Sequence, residues 1–469
     1  MRRLLSALMD SLTSILASSF LICGFIEPIN LSVVWALAIE SLSWIELERL
    51  NEDAAIRKTV KQLRVNDRHL VDEAKKLVFE TVRRQNALDF MIDEALEPNN
   101  LGNLKIGLRS FLRLYTYLVN YSDFSLASAY DLVDHTRAML GKREFKPIDD
   151  VPDLIPSMSI PFDEISDTQR LAYKYFHPSW YVAHLFNEFG EHNTEKLIKH
   201  VDYPNYIRLN TLKGDNASLD ALFEKGFQLV AEPGLSDAYM LHDDDGITDT
   251  KEYREGQFIL QDKASILVGE VAHPEPGSVV LDVCAAPGVK TSHLAQFMQN
   301  TGRIISIDYN QRRLESWENL MTRLGVTNAK PVQADASRPA ELPKIEADLI
   351  VVDPPCTGTG LFHKSPSSKW RLTPHSIENM ARLQKRILVN VANLLKPGGT
   401  LVYSTCSITV EENEEVVQSL IDMCPEYRLV ESTPRLSDHG LRGMDEAQRL
   451  YPYKHRSNGF FIAKLVKDI

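Results

Sequence analysis

Apolar residues recur at spacings of three and four from about residue 33 to residue 121, a pattern that predicts helices. Residues 35–50, 71–90 and 101–121 carry it most clearly. Basic side chains lie on the opposite faces of these helices: Arg57, Lys58, Lys61, Arg64, Arg68, Lys75, Lys76, Arg83 and Arg84. The pattern leaves two interpretations open, a solvated helix surface balanced by acids or a patch that faces RNA.

The middle of the chain changes character twice. Residues 141–163 are rich in proline and acids and are expected to form a linker, and residues 168–200 return to helical spacing. Residues 206–212 then alternate as a strand, followed by a short helix at 218–225 and another strand at 227–230. This stretch predicts a small α+β module.

Strands and helices alternate regularly from residue 265 to the C-terminus. The predicted strands are Val279–Val283, 303–307, 331–333, 349–352 and 400–404, and the helices between them include 312–324 and 377–395. Such alternation predicts an α/β domain with a mostly parallel, doubly wound sheet. The loops at the carboxyl ends of parallel strands form the ligand crevice of these folds.

The loop after the first of these strands carries the features of a nucleotide site. A strand that breaks into a glycine-bearing turn and then a helix points free backbone N–H groups at one spot. Asp308, about 20 residues on at the end of the next strand, suits a ribose hydroxyl pair. The dinucleotide pattern G-x-G-x-x-G is absent, so a smaller nucleoside ligand such as S-adenosylmethionine is expected. The loop residues are Cys284, Ala285, Ala286, Pro287, Gly288, Val289 and Lys290.

Charge and cysteine content narrow the class of protein. The 469-residue chain has a net charge of −12, which argues against a protein that coats nucleic acid non-specifically. Its five cysteines show no zinc-type spacing, so we expect reduced thiols, no metal and a cytoplasmic location. The apolar N-terminus imitates a signal peptide, but Asp10 interrupts it and residues 11–26 are too short to span a membrane. We therefore expect residues 1–32 to be an N-terminal extension and the protein to lack a membrane anchor.

Three further residues suggest chemistry on a nucleobase. Asp353, followed by two prolines, closes the fourth strand and could grip the ring edge of a base, while Cys356 and Cys406 follow neighbouring strands. A thiolate that adds to carbon 6 of a pyrimidine makes carbon 5 nucleophilic enough to accept a methyl group. Lys290 could supply the cationic group near the ring. Spacing alone leaves open whether Cys356 or Cys406 is the nucleophile.

With these residues assembled, the chain resembles the RNA (cytosine-5)-methyltransferase family of the Sun/Fmu-like class. The matching motifs are LDVCAAPGVKT at 281–291, QDKAS at 261–265, DPPCTGTG at 353–360, KWR at 369–371, STCS at 404–407 and GFFIAKL at 459–465. More weakly, residues 37–121 resemble the NusB-type helical domain of small-subunit rRNA methyltransferases. HPSW at 177–180 and RLNTLK at 208–213 are similar to the family's RNA-recognition-like module.

The resemblance implies roles for the candidate residues. It places the loop from Cys284 to Lys290 on S-adenosylmethionine, with Asp308 on the ribose and Asp335 near the adenine. It assigns Asp353 and Lys290 to the cytosine, Cys406 to nucleophilic attack and Cys356 to breakdown of the covalent product. In two departures from the family's usual residues, Val289 replaces a glycine and Pro354 an alanine. The second brings the motif closer to methyltransferases that act on exocyclic amines, which we disfavour because Cys406 would then have no role.

The expected organisation follows from the motifs and the resemblance together. Residues 33–145 form a NusB-like RNA-binding domain, 146–200 a linker with helices, 201–264 the RNA-recognition-like module and 265–469 the methyltransferase domain. The expected substrate is ribosomal RNA, with tRNA as the alternative. The second alternative is a non-catalytic RNA-binding assembly factor on the same fold. We expect a monomer with no obligate protein partner.

Overall fold

The computed structural model of the chain describes residues 28–243 and 245–469, which fold into two compact units. The helical unit contains the described residues up to Ile198 together with the separate segment Lys364–Arg371. The second unit contains Lys199–His363 and Leu372–Ile469. The predicted N-terminal extension lies outside the described residues as far as residue 27, and its last residues already belong to the first helix.

The helical unit is built around helices that the spacing of apolar residues predicts. Apolar side chains of Pro28–Leu47 and Ile106–Tyr121, including Ile39, Leu42 and Phe111, form its core. The predicted helix 71–90 is in fact two helices that meet at Arg84, where the backbone leaves helical geometry. The α-helices are α1 Pro28–Leu47, α2 Glu52–Leu63, α3 Arg68–Arg83, α4 Gln85–Leu96, α5 Ile106–Tyr121, α6 Leu126–Leu140, α7 Lys142–Phe145, α8 Val151–Leu154, α9 Asp167–Lys174 and α10 Ser179–Ile198.

Most basic residues of these helices have acidic partners within the same unit. Lys58 pairs with Glu48 at 2.6 Å, and Lys75 pairs with Asp53 at 2.8 Å. Arg84 and Arg83 both pair with Glu80. The two lysine pairs are partly exposed and contribute little to stability, whereas the arginine pairs with Glu80 are more buried. All of these pairs neutralise positive charge that an RNA-facing patch requires.

The expectation of a linker at residues 141–163 is wrong. The segment forms short helical turns, and Phe145, Ile148 and Ile155 are fully buried in the core of the helical unit. Most of the prolines that suggested a linker stand in the first turn of these short helices, where proline is tolerated, and the apolar residues between them pack.

The segment Lys364–Arg371 is anchored to the other elements of the helical unit by buried hydrogen bonds. The Ser367 backbone N–H donates to the Glu52 carboxylate at 2.6 Å, and the Trp370 indole N–H donates to the Val82 carbonyl at 2.6 Å. Lys369 is buried, and burial, reinforced by the charges of Arg83 and Arg84, holds its pKa well below the usual lysine value. The motif KWR is therefore part of the packing of this unit.

The second unit contains a small antiparallel sheet with the strand order β2-β3-β1-β4. One face carries Ile207, Leu209, Leu241 and Phe258, and the residues that alternate with them, among them Tyr206, Arg208 and Ile259, are also buried, so both faces of the sheet are covered. The elements are β1 Asn205–Leu209, α11 Asn216–Glu224, β2 Leu229–Ala231, β3 Ala238–Leu241, α12 Lys251–Arg254 and β4 Phe258–Leu260.

The larger sheet has the predicted α/β architecture. Its strand order is β11-β12-β13-β9-β8-β5-β6-β7, with β10 paired to β13; β9, β8, β5, β6 and β7 run parallel, whereas β13 is antiparallel to β9. The elements are α13 Lys263–Ala272, β5 Val279–Val283, α14 Val289–Phe297, β6 Arg303–Asp308, α15 Gln311–Leu324, β7 Ala329–Gln333, β8 Ala347–Val352, α16 Pro374–Ala392, β9 Leu395–Thr405, α17 Glu414–Met423, β10 Tyr427–Val430, β11 Asp438–His439, β12 Gln448–Leu450, α18 Pro452–His455 and β13 Phe460–Lys467.

The five parallel strands bring the candidate residues to a single edge. Their carboxyl ends lie on the same side of the sheet, so the loops after β5, β6, β7, β8 and β9 converge there. In the part of the chain that the structure describes, no helix is long and apolar enough to cross a membrane. Nor do the described histidines, cysteines and acids form a group of three or more that could hold a metal ion.

Candidate active site

The loop between β5 and α14 is held in a tight, glycine-dependent turn. Gly288 has a φ of 106°, and a Cβ there would lie 2.8 Å from side-chain atoms of both Trp317 and Met321. Only glycine fits this combination of left-handed backbone and close contact. Cys284 also lies in the left-handed region, at φ 61°, and the Ala285 N–H donates to the Ile307 carbonyl at 2.9 Å. The N–H groups of Ala286 and Gly288 likewise donate within the protein, to the Asp308 carboxylate and the Ala285 carbonyl, and α14 begins directly after the turn.

Asp308, the last residue of β6, is buried and already engaged by three protein groups. Its carboxylate accepts the Ala286 N–H at 3.3 Å and the Asn310 N–H at 3.0 Å, and it pairs with Arg313 at 2.9 Å. A carboxylate has about four acceptor positions, so one is left for a ligand. Arg313 also donates to the Ala286 carbonyl and thereby ties the loop to α15.

A cavity of about 310 Å³ opens beside this loop. Cys284, Asp308 and Asp335 line it, so three of the predicted cofactor residues meet there. The size lies at the lower end of small-ligand pockets, and a mostly apolar wall with two carboxylates suits a nucleoside. The other lining residues are Ile307, Tyr309, Ala334, Ala336, Ser337, Pro355, Met380, Leu383 and Ile387.

Sequence reasoning missed several of these lining residues. Tyr309 is 58% exposed although it is aromatic, and its position directly after Asp308 is the one signal that the sequence offers. Met380, Leu383 and Ile387 belong to α16, which the sequence predicts as a helix. Their spacing is that of any helix face, so nothing in the sequence separates a cofactor wall from a core face.

Asp282 lies beneath the loop in a fully buried position. Its carboxyl accepts the Thr291 hydroxyl at 2.5 Å, and that hydroxyl accepts the Trp317 indole N–H at 3.0 Å. The other carboxyl oxygen of Asp282 has no hydrogen-bond partner among the described residues. Burial raises the pKa of Asp282 to about 7, against the opposing effect of the Thr291 hydrogen bond.

Lys290 and Asp353 form a partly buried ion pair at 2.6 Å. The Ser404 hydroxyl donates to the other oxygen of Asp353 at 3.3 Å, and the Lys290 ammonium lies 5.6 Å from the centre of the Phe460 ring. Burial opposes the charged form of Lys290, but the charge and hydrogen bond of Asp353 outweigh it and raise the pKa above the usual value. Lys290 and Asp353, which the resemblance assigns to the cytosine, are thus in contact with each other.

The two candidate thiols also meet. The Cys356 and Cys406 sulfur atoms lie 3.0 Å apart, and both cysteines are free. The pKa of Cys356 is raised well above the usual value by its hydrogen bond with Cys406, then by burial and by the charges of Glu412 and Asp353. The contact of the two sulfur atoms does not distinguish them, so the assignment of Cys406 as the nucleophile stays a prediction from the resemblance.

A group that sequence reasoning missed connects the loops of the two thiols. Glu412 is fully buried, and its carboxylate accepts hydrogen bonds from Thr357 and Ser407, which follow the two cysteines in sequence. It stands in the acidic run Glu411–Glu415, which resembles the exposed first turn of a helix. The sequence offers no signal that this one carboxylate is internal.

Comparison with known proteins shows which family the chain is similar to. Residues 270–466 match the family model described as 16S rRNA methyltransferase RsmB/F. The chain is 30% identical over 443 residues to the probable ribosomal RNA small subunit methyltransferase B of Bacillus subtilis (strain 168), an alignment covering 92% of this chain and 98% of the relative. It is 40% identical over 225 residues to a tRNA (cytosine(72)-C(5))-methyltransferase of Pyrococcus horikoshii, covering 48% of this chain and 56% of that protein.

Two solved structures are similar in fold. The crystal structure of PH0851 has a TM-score of 0.81 and 28% identity, and the alignment covers 96% of this chain and 100% of that one. The crystal structure of NSun6 from Pyrococcus horikoshii with SFG has a TM-score of 0.57 and 28% identity, with coverage of 62% of this chain and 98% of that one.

Proposed function

Because the chain belongs to the 16S rRNA methyltransferase RsmB/F family, we propose that it transfers a methyl group from S-adenosylmethionine to carbon 5 of a cytosine in RNA. The observation that carries this proposal is the contact of the Cys356 and Cys406 thiols, with the pair of Lys290 and Asp353 on the same sheet edge. Methyl transfer to an exocyclic amine needs no thiol, so the paired cysteines favour carbon 5.

The cavity beside the glycine turn is the proposed S-adenosylmethionine site. Asp308 would hold the ribose, Asp335 would lie near the adenine, and the loop from Cys284 to Lys290 would supply backbone contacts. When bound, S-adenosylmethionine supplies an electrophilic methyl group. One similar structure contains SFG, an analogue of S-adenosylmethionine, which supports the assignment.

The chain's own residues account for activation of the base. Asp353 accepts hydrogen bonds from the cytosine edge, and the Lys290 ammonium, which donates to the other side of the carboxylate, holds Asp353 in place. The Cys406 thiolate adds to carbon 6, which leaves an electron pair on carbon 5 for the methyl group. After the methyl transfer a base removes the proton of carbon 5, the electron pair of that C–H bond restores the C5–C6 double bond, and the Cys406 thiolate leaves carbon 6. Cys356, in contact with the Cys406 sulfur, assists this breakdown of the covalent product.

Ribosomal RNA is the proposed substrate. The Bacillus subtilis relative, named as a ribosomal RNA enzyme, matches 92% of this chain, whereas the tRNA-modifying relative matches 48%. The helical unit thus belongs to the part of the chain shared with the ribosomal RNA enzyme, which supports our assignment of residues 33–145 as a NusB-like RNA-binding domain. We further propose a cytoplasmic monomer without an obligate protein partner, since a catalytic thiol pair requires a reducing compartment.

The test is a covalent trap. Cys356→Ala is incubated with total RNA and S-adenosylmethionine, and the protein–RNA adducts that survive denaturation are isolated and sequenced. We expect an adduct at one cytosine of small-subunit ribosomal RNA, because loss of Cys356 slows release of the Cys406 sulfur. The added substitution Cys406→Ser should abolish the adduct and lower methyl transfer at least about a thousandfold.

The control and the contrary outcomes separate the alternatives. Cys424→Ala removes a free cysteine outside the cavity and should leave the wild-type behaviour unchanged. An adduct on tRNA would indicate that tRNA, rather than ribosomal RNA, is the substrate. RNA binding without any adduct or methyl transfer would identify a non-catalytic assembly factor.

A further inference from the structure

Glu412 is a fully buried carboxylate with an unusual number of donors. It accepts hydrogen bonds from the Thr357 backbone N–H at 2.8 Å and from the Thr357 hydroxyl. The Ser407 and Thr409 hydroxyls donate to it at 2.7 Å and 3.0 Å, and the Gln384 amide donates at 2.9 Å. A carboxylate that accepts this many bonds compensates for its burial and is held in one orientation.

These donors belong to the two loops that carry the thiols. Thr357 directly follows Cys356, and Ser407 directly follows Cys406. One carboxylate therefore binds the residue next to each cysteine and fixes one loop against the other. The Gly360 N–H donates to the Cys406 carbonyl at 2.9 Å, which adds a second link between the same loops. The Glu412 links are buried and use a charged acceptor, so they are the stronger ones.

The same carboxylate is linked to the wall of the cofactor cavity. The Gln384 amide that donates to Glu412 also donates to the Pro355 carbonyl at 2.8 Å. Gln384 lies in α16 beside Leu383, which lines the cavity, as Pro355 does. Glu412 thus joins the wall of the cavity to the thiol pair through a continuous set of hydrogen bonds.

Glu412 affects Cys356 through its charge as well as through the hydrogen bonds that position the loop. The titratable groups that influence Cys356 are Cys406, Glu412 and Asp353, and Lys290 is paired with Asp353. Glu412 and Asp353 are both anions, and each opposes ionisation of the Cys356 thiol. Asp353 is largely neutralised by Lys290, whereas every described hydrogen-bond donor to Glu412 is neutral. Glu412 therefore contributes a negative charge without a cationic partner.

We propose that Glu412 is a positioning residue, which fixes the loops of Cys356 and Cys406 against each other and so holds the two sulfur atoms in contact. The inference rests on the proposed function, because it concerns the two cysteines of the same reaction. Glu412 does not touch the reacting atoms. It acts through Thr357 and Ser407 and through its charge.

The experiment compares Glu412→Gln with the wild-type protein. Glutamine keeps the shape, and the hydroxyls of Thr357, Ser407 and Thr409 can turn to accept from its amide, so the variant should fold. The readout is the initial rate of alkylation of each cysteine by iodoacetamide between pH 6 and pH 9.5, measured by mass spectrometry. Loss of the nearby charge should lower the pH at which Cys356 reacts by about one unit, or raise its rate about tenfold at a fixed pH.

Methyl transfer gives a second readout. We expect kcat of Glu412→Gln to fall at least about tenfold and the KM for S-adenosylmethionine to change less than about twofold, because the cavity itself is unchanged. The matched control is Glu414→Gln, which removes a second buried glutamate that is paired with Arg449 and does not reach the cysteines. This control should lose stability without changing the pH dependence of Cys356 alkylation.

The possible outcomes test the role of Glu412 separately from the proposed methyl transfer. Equal alkylation profiles in wild type and Glu412→Gln, or the same change in Glu414→Gln, would overturn the role of Glu412 while leaving the proposed methyl transfer intact. If the alkylation profile of Cys356 shifts but the wild-type protein methylates no RNA, the role of Glu412 in positioning the cysteines stands and the proposed methyl transfer is rejected. If Glu412→Gln does not fold, Ser407→Ala removes one link only, and its kcat should fall with an unchanged KM for S-adenosylmethionine. An unchanged kcat there would refute the proposal.

Discussion

The buried carboxyl of Asp282 gives the second unit a pH-dependent stability that substitution should remove. Its pKa is raised to about 7 by burial, whereas an unfolded aspartate titrates near 3.8. The folded state therefore favours the protonated acid, and this contribution to stability is complete below about pH 4 and is lost as the pH rises to 7. At about 1.4 kcal/mol per pH unit, the full effect is about 4 kcal/mol.

Asp282→Asn should keep the Thr291 hydrogen bond and remove the titration. The free energy of unfolding of the wild type should then fall, relative to the variant, by about 2.5 kcal/mol between pH 5 and pH 7.5. Urea unfolding followed by circular dichroism at several pH values, without cofactor, measures this difference. Because the chain has two units, the transition of the second unit has to be resolved before a free energy is extracted.

The matched control is Asp348, whose pKa is shifted in the opposite direction to that of Asp282. Burial would raise the pKa of Asp348, but hydrogen bonds from Lys396 at 2.6 Å and from the Val279 N–H at 2.8 Å lower it below 3.8. Asp348 thus contributes stability that is lost only in acid, so Asp348→Asn should differ from the wild type by a constant amount between pH 5 and pH 7.5. If Asp282→Asn also differs by a constant amount, Asp282 is ionised throughout and the reasoning fails.

Two further predictions concern the glycine turn and the segment Lys364–Arg371. Gly288→Ala should weaken S-adenosylmethionine binding at least about tenfold, because an alanine at φ 106° is strained and contacts Trp317; an unchanged affinity by calorimetry would contradict this. Glu52→Ala leaves the buried Ser367 N–H without its acceptor and should speed tryptic cleavage within the segment about tenfold, whereas Glu48→Ala, at an exposed ion pair, should not. Equal cleavage rates in the two variants would show that the Glu52 contact is not what anchors the segment.

Strong periodicity made most of the α/β sheet predictable. The strand Val279–Val283 is observed with the predicted bounds, and the other predicted strands lie within observed ones that are longer by one to six residues, as β9 is. The extra residues of β9 include Pro397, Gly398 and Gly399, whose strand propensity is low. The pairing with β8 passes from Leu395 to Thr400 with a shift of register, so an irregularity that the sequence pattern does not reveal lies at these residues.

The candidate site was predictable only where a residue stands at a strand end. Cys356, Asp353 and Cys406 follow parallel strands, so topology alone brings them to one edge. Glu412 and Leu383 have no such marker, because burial of a carboxylate and the choice of a helix face depend on what packs against them. The sequence likewise could not reveal that Lys290 and Asp353 are paired with each other rather than separately free.

The segment Lys364–Arg371 has a consequence for how this protein can be divided. The chain passes from one unit to the other after Ile198, after His363 and after Arg371. A fragment that starts at Lys199 would therefore carry eight residues whose hydrogen-bond partners, including Glu52 and the Val82 carbonyl, have been deleted. Trp370 would be left without its packing, only fourteen residues after Cys356. Truncation of the gene at that boundary would thus disturb the chain that follows Cys356. A stand-alone catalytic fragment would require redesign of Lys364–Arg371 in addition to removal of the N-terminal helices.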